Sequence, residues 1–138
     1  LKEIYQIFDE QFKNILEMIN QSSFQNCMNI SVDLTRISTL AGYKDGILIS
    51  EVLESVFGQT YPLFQEYDIS EAEKDSITTK FHEQICLLSK LYRNDSKGQI
   101  YEILKELRSM TTLLQFKCWN TFKRKHPEPK KFLRREML

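Results

Sequence analysis

The sequence predicts an all-α fold: an antiparallel bundle of four to five helices with a basic C-terminal tail. Three observations predict it. Apolar residues recur at alternating spacings of three and four along most of the chain, the period of a helix with one buried face. Four Gly and three Pro in 138 residues leave little turn material, so the chain is spent on long elements with few connections. The 41% hydrophobic and 28% charged content is that of an ordinary globular protein, at a length that buries a core without metal or disulfide staples.

The first helix carries Leu1, Tyr5, Phe8, Phe12, Ile15 and Ile19 as one stripe, widened by Ile4 and Leu16, with Lys2, Glu10, Lys13 and Glu17 opposite. It ends near Asn20, where Gln21-Ser22-Ser23 loosens the chain. In the next segment Met28, Ile30, Val32 and Leu34 alternate like a strand, while Cys27, Ile30, Leu34, Ile37 and Ala41 fit a helical stripe. The helical template spans more residues and puts Gly42 at a C-terminal stop, which predicts a helix from about Asn26 to Ala41. Asp45 then reads as the N-cap of a helix through Ile49, Val52, Leu53, Val56 and Phe57 that stops at Gly58. Thr60-Tyr61-Pro62 reads as a short new turn, with Pro62 in the first position where its missing N–H costs nothing.

The clearest start signal is Ser70-Glu71-Ala72-Glu73. A serine followed three residues later by glutamate satisfies orphan backbone N–H groups at a helix start. Behind it run Ile77, Phe81, Ile85, Leu88 and Tyr92. Asn94-Asp95-Ser96 makes the turn into the last long helix, with Ile100, Leu104, Leu107, Leu114 and Cys118 on one side and Tyr101, Met110 and Leu113 beside them. That helix runs to about Arg124, and His126-Pro127-Glu128-Pro129 ends it, because proline restricts its predecessor and donates no hydrogen bond. Residues 1–125 therefore form the bundle, and 126–138 the basic, proline-containing tail.

Nineteen basic and nineteen acidic residues cancel, but unevenly. From Lys123 to Leu138 seven Lys or Arg face two Glu, so the preceding 122 residues carry a net −5. Lys123 to Lys125 complement the dipole at the end of a long helix. Lys130, Lys131, Arg134 and Arg135 lie past the prolines, where no dipole accounts for them. With Phe132 and Leu133 among them, they suit docking on an acidic partner, on phosphates or on an anionic membrane.

Cys27, Cys86 and Cys118 are odd in number, widely spaced and without a CxxC pair, which reads as free thiols in a reducing compartment and places the chain in the cytoplasm. Two sequons, Asn29-Ile30-Ser31 and Asn94-Asp95-Ser96, would instead suit a secreted helical bundle with glycans and a disulfide. No stretch approaches the roughly 18 apolar residues of a membrane span, so no transmembrane segment is expected.

Chemistry-bearing motifs are sparse. His82-Glu83-Gln84-Ile85-Cys86 puts a histidine and a cysteine four apart on one helix face, but no third ligand or general base accompanies them, so no metal site is expected. There is no GxSxG and no phosphate-cradling glycine loop, and two histidines are too few to activate the cysteines. No catalytic residue, cofactor or enzymatic activity is expected. Ile37-Ser38-Thr39-Leu40-Ala41-Gly42-Tyr43, followed by Leu48 and Val52-Leu53, is similar to a helix-turn-helix core. Its would-be recognition helix shows Lys44, Asp45, Ile47, Ile49, Ser50 and Glu51, a poor set for base edges.

The functional expectation is a non-enzymatic helical protein-interaction domain, adaptor or regulatory, that pairs with a protein partner or with itself. The apolar run Ile47-Leu48-Ile49 exceeds what one helix face buries, which nominates Ile47, Ile49, Val56 and Phe57 as a partner surface. Lys130, Lys131, Arg134 and Arg135 would dock on an acidic partner or a nucleic acid. The alternative is a nucleic-acid-associated transcriptional regulator that uses Ile37–Leu53 together with that tail.

Overall fold

The computed structural model describes residues 2–94 and 96–126, and these are helical apart from short turns. Five helices follow in order: α1 Lys2–Asn20, α2 Phe24–Ala41, α3 Lys44–Glu66, α4 Glu71–Leu91 and α5 Lys97–Lys125. Each packs against two others. α1 lies between α2 and α4, and α5 lies between α3 and α4, so the helices close a ring in the order α1, α2, α3, α5, α4. Consecutive α3 and α4 are not neighbours in that ring.

The ring closes around one core. Phe24, Phe57 and Phe81, from α2, α3 and α4, meet at its centre with ring centroids 5.3 to 6.2 Å apart. The α1 stripe read from the sequence is buried at Ile4, Phe8, Phe12, Ile15 and Ile19. Phe8 and Phe12 pack with Tyr43 and Tyr92 into a second aromatic cluster, which Tyr5 joins from the edge.

Two turns follow from named residues. Gly42 ends α2 at a φ of 67°, the left-handed region open to glycine. Its N–H donates to the Thr39 carbonyl and that of Tyr43 to the Ser38 carbonyl, satisfying the last turn of the helix. At α4, Ser70 Oγ accepts from the Glu73 N–H at 3.2 Å, as the capping pattern predicts. The Glu73 carboxylate is turned instead to Lys117 on α5, at 3.0 Å.

α2 and α3 approach closely because small residues line their contact. Ser31 and Ser38 on α2, with Gly46 and Ser50 on α3, are all buried, and Thr35 Oγ1 donates to Ser50 Oγ at 2.9 Å. The Ser31 and Ser50 hydroxyls each donate to the carbonyl four residues back, which settles their own polarity.

α3 differs from the sequence expectation. Instead of stopping at Gly58 and restarting at Pro62, it runs unbroken through both. Glycine costs about 1 kcal/mol in a helix interior and proline about 3. Burial of Val56, Phe57 and Thr60, with Tyr61 and Phe64 packed beside them, offsets that cost.

Candidate functional site

The apolar run on α3 is packing. Ile49, Val56 and Phe57 are fully buried, and Ile47 is half-buried. Because α3 lies between α2 and α5, it presents apolar side chains to both, and one stripe is not enough. The expectation of a partner surface is corrected for Ile49, Val56 and Phe57, which a partner could reach only by displacing the core, while Ile47 keeps part of its surface exposed. In the helix-turn-helix-like segment Tyr43, Gly46, Ile49 and Ser50 are buried, while Lys44, Asp45 and Glu51 are exposed. Lys130, Lys131, Arg134 and Arg135 lie outside the described residues.

Exposed apolar surface gathers elsewhere, on the C-terminal half of α5. Leu113 is 61% exposed, Phe116 60%, Trp119 49% and Phe122 42%. On α2 and α4, by contrast, single leucines stand exposed, Leu40 and Leu87. The buried stripe of α5 runs through Ile100, Ile103, Leu104, Leu107, Thr111 and Leu114 and ends at Cys118. The helix continues seven residues further, to Lys125. At 1.5 Å per residue that is about 10 Å beyond its last buried side chain.

Spacing decides how these side chains are arranged. Residues three apart on a helix step about 60° around its axis, so Leu113, Phe116, Trp119 and Phe122 wind through about 180°. Leu113, Phe116 and Trp119 form the outer part of this arc. Phe122 closes it at the inner edge, stacking on Trp119 at 5.8 Å and meeting Tyr67 edge-on at 6.3 Å.

Charge coincides with this surface. Between Glu106 and Glu128 the sequence holds no acidic residue, while it holds Arg108, Lys117, Lys123, Arg124 and Lys125. From Arg108 to the last residue nine basic side chains face two acidic ones, a balance of +7, and residues 1–107 carry −7. The Lys123 ammonium stands 5.8 Å from the centre of the Trp119 ring, and a cation over an indole face is favourable.

Beside the outer face, between the α3–α4 connection and the end of α5, opens a groove of about 690 Å³. Glu66, Asp68 and Glu73 line one wall, and Lys117, Arg124 and Lys125 the other. Cys118 also reaches it, its thiol pushed up from the usual value first by burial and then by Glu73. Leu113, Phe116, Trp119 and Lys123 are not part of its lining, so the outer face turns away from the acidic wall.

His82 Nδ1 and Cys86 Sγ do meet across one turn of α4, at 3.6 Å. Among the described residues no group of three or more metal-ligating side chains comes together. Comparison with protein-family models, with curated proteins and with solved structures gives no match.

The sequence did carry a signal for the α5 surface, namely the acid-free run from Leu107 to Pro127. Counting charge only from Lys123 onward hides it. Periodicity alone also reads Leu113 and Tyr101 as flanking the core, whereas both are exposed.

Proposed function

We propose that this chain is a non-enzymatic interaction domain that docks through the C-terminal half of α5. Five helices form a platform, and the end of the fifth carries the contact surface. The observation that supports this most directly is the coincidence of Leu113, Phe116, Trp119 and Phe122, all substantially exposed, with a stretch that has five cations and no acid.

Full burial of one such side chain is worth about 1.5–3 kcal/mol, and roughly half of that remains unrealised at each of the four. A docking partner with a negatively charged surface gains this burial and is steered to it by the cations. The tail residues Lys130, Lys131, Arg134 and Arg135 add to the same charge, whether the partner is a protein or, in the alternative reading, a nucleic acid.

The test asks whether the apolar side chains are there for the fold or for contact. In the double variant Leu113→Ser, Phe116→Ser, the unfolding free energy stays within about 0.5 kcal/mol of the parent, as for surface positions, and binding of an apolar fluorescent dye falls. A loss of about 2 kcal/mol or more would make both residues packing and remove the docking surface.

A further inference from the structure

We infer that the surface on which α5 docks is an anionic phospholipid bilayer, contacted from one side and not crossed. The inference rests on the docking reading above and names its partner. Three features of the molecule carry it.

The first is the arc. Leu113, Phe116 and Trp119 spread over about 120° of the outer face of α5, an open convex surface that suits a bilayer interface. Such an interface offers apolar depth without a fixed groove, so Leu113, Phe116 and Trp119 all gain from shallow immersion.

The second is residue chemistry. Tryptophan settles at the level of lipid headgroups, where its ring is apolar and its N–H stays wet. Lys123 follows Trp119 by one turn on the outer face, with a long stem that reaches headgroup phosphates while the ring stays below, and Arg124 and Lys125 add charge from the groove side. Lys117 is tied to Glu73 across the groove and contributes less.

The third is polarity of charge along the chain. The +7 of residues 108–138 is drawn to an anionic surface, and the −7 of residues 1–107 is repelled by it. The described part of the basic stretch, Arg108 to His126, holds five cations and no acid, which favours the orientation with the end of α5 on the lipid and the acidic body away from it. Because the outer face is turned from Glu66, Asp68 and Glu73, those carboxylates do not stand between Trp119 and the headgroups. Among the described residues no helix is long and apolar enough to cross a membrane, so the contact is peripheral.

Trp119 is the only tryptophan in the chain and reports on its own docking. The full chain is mixed with vesicles of phosphatidylcholine alone, and with vesicles of phosphatidylcholine and phosphatidylserine. Expected is a blue shift of Trp119 emission and co-sedimentation with the serine-containing vesicles only, both reversed by salt. Phe116→Glu abolishes both, and Lys123→Gln with Arg124→Gln weakens partition on the order of tenfold or more. All three substitutions lie on exposed positions, and a melt confirms that each variant is folded.

Indifference to both kinds of vesicle overturns the lipid assignment. If the serine double variant then keeps its stability, docking through α5 stands with another partner. A blue shift on a DNA duplex but not on vesicles, or one that grows with protein concentration alone, also overturns it, in favour of nucleic acid or of a second copy.

Discussion

The Tyr92 hydroxyl sits where the end of α4 meets α1. It donates to Asp9 Oδ1 at 2.6 Å, with the Tyr5 carbonyl 2.8 Å away, while Arg93 pairs with Asp9 and lies over the Tyr5 ring. Burial first, and the neighbouring Asp9 second, push the Tyr92 phenol up to about 12 from an ordinary value of 10.0. Burial alone does the same to the Cys27 thiol, from 9.0 to about 12. Tyr43 is raised as well, by burial and then by Tyr5 and Asp45. In each case the folded chain holds a proton that the unfolded chain releases at lower pH. The stability these groups contribute is therefore complete below about pH 9 and is lost as pH climbs toward 12. Thermal melts should show a Tm that holds to about pH 9 and then falls steadily. A Tm unchanged through the alkaline range would mean these groups titrate in the fold as they do in the unfolded chain. The Asp9 contact was not legible from spacing, because Asp9 lies more than eighty residues from Tyr92 and Arg93 and only the closed ring of helices brings them together.

At the scale of elements, α1, α4 and α5 were readable because each is amphipathic over many turns, and a long stripe leaves one template standing. Ser70 and Gly42 were readable because caps are local chemistry. α3 was not. Its residues are apolar on two sides, so the same pattern serves an interface or a doubly packed helix, and only the neighbours α2 and α5 decide it. Nor could local rules show that tertiary burial carries α3 through Gly58 and Pro62. The tight α2–α3 corner depends on a residue whose role the sequence did not reveal. A Cβ added at Gly46 would lie 2.4 Å from the Tyr43 ring and 2.7 Å from Ser38 Oγ. Both neighbours are buried, Tyr43 in the aromatic cluster and Ser38 with no hydrogen-bond partner for its hydroxyl among the described residues. Gly46→Ala should therefore destabilise by about 1–3 kcal/mol despite alanine's better helix propensity, measured by chemical denaturation. A gain in stability would show that the corner has room to relax.

For the whole molecule, the organising fact is the separation of a well-packed acidic body from a cationic, aromatic helix end. The body accounts for the buried stripes, the caps and the small-residue contact between α2 and α3. The end of α5 accounts for nothing in the core after Cys118, and it concentrates what a fold normally hides. Charge segregation of this kind was half visible in the sequence as a basic tail. Its extension back to Arg108, and the aromatic side chains it surrounds, needed the helix to be placed against its neighbours.

The central claim is that an aromatic surface stands exposed among cations at this end, and the single tryptophan tests it directly. Trp119 emission in the free chain should be that of a solvent-exposed indole. Iodide, an anion, should quench it more efficiently than caesium, a cation, because Lys123 stands over the ring and Arg124 and Lys125 follow. A blue emission that neither ion quenches would place Trp119 inside a packed structure. The end of α5 would then be part of the core, and the docking surface would not exist.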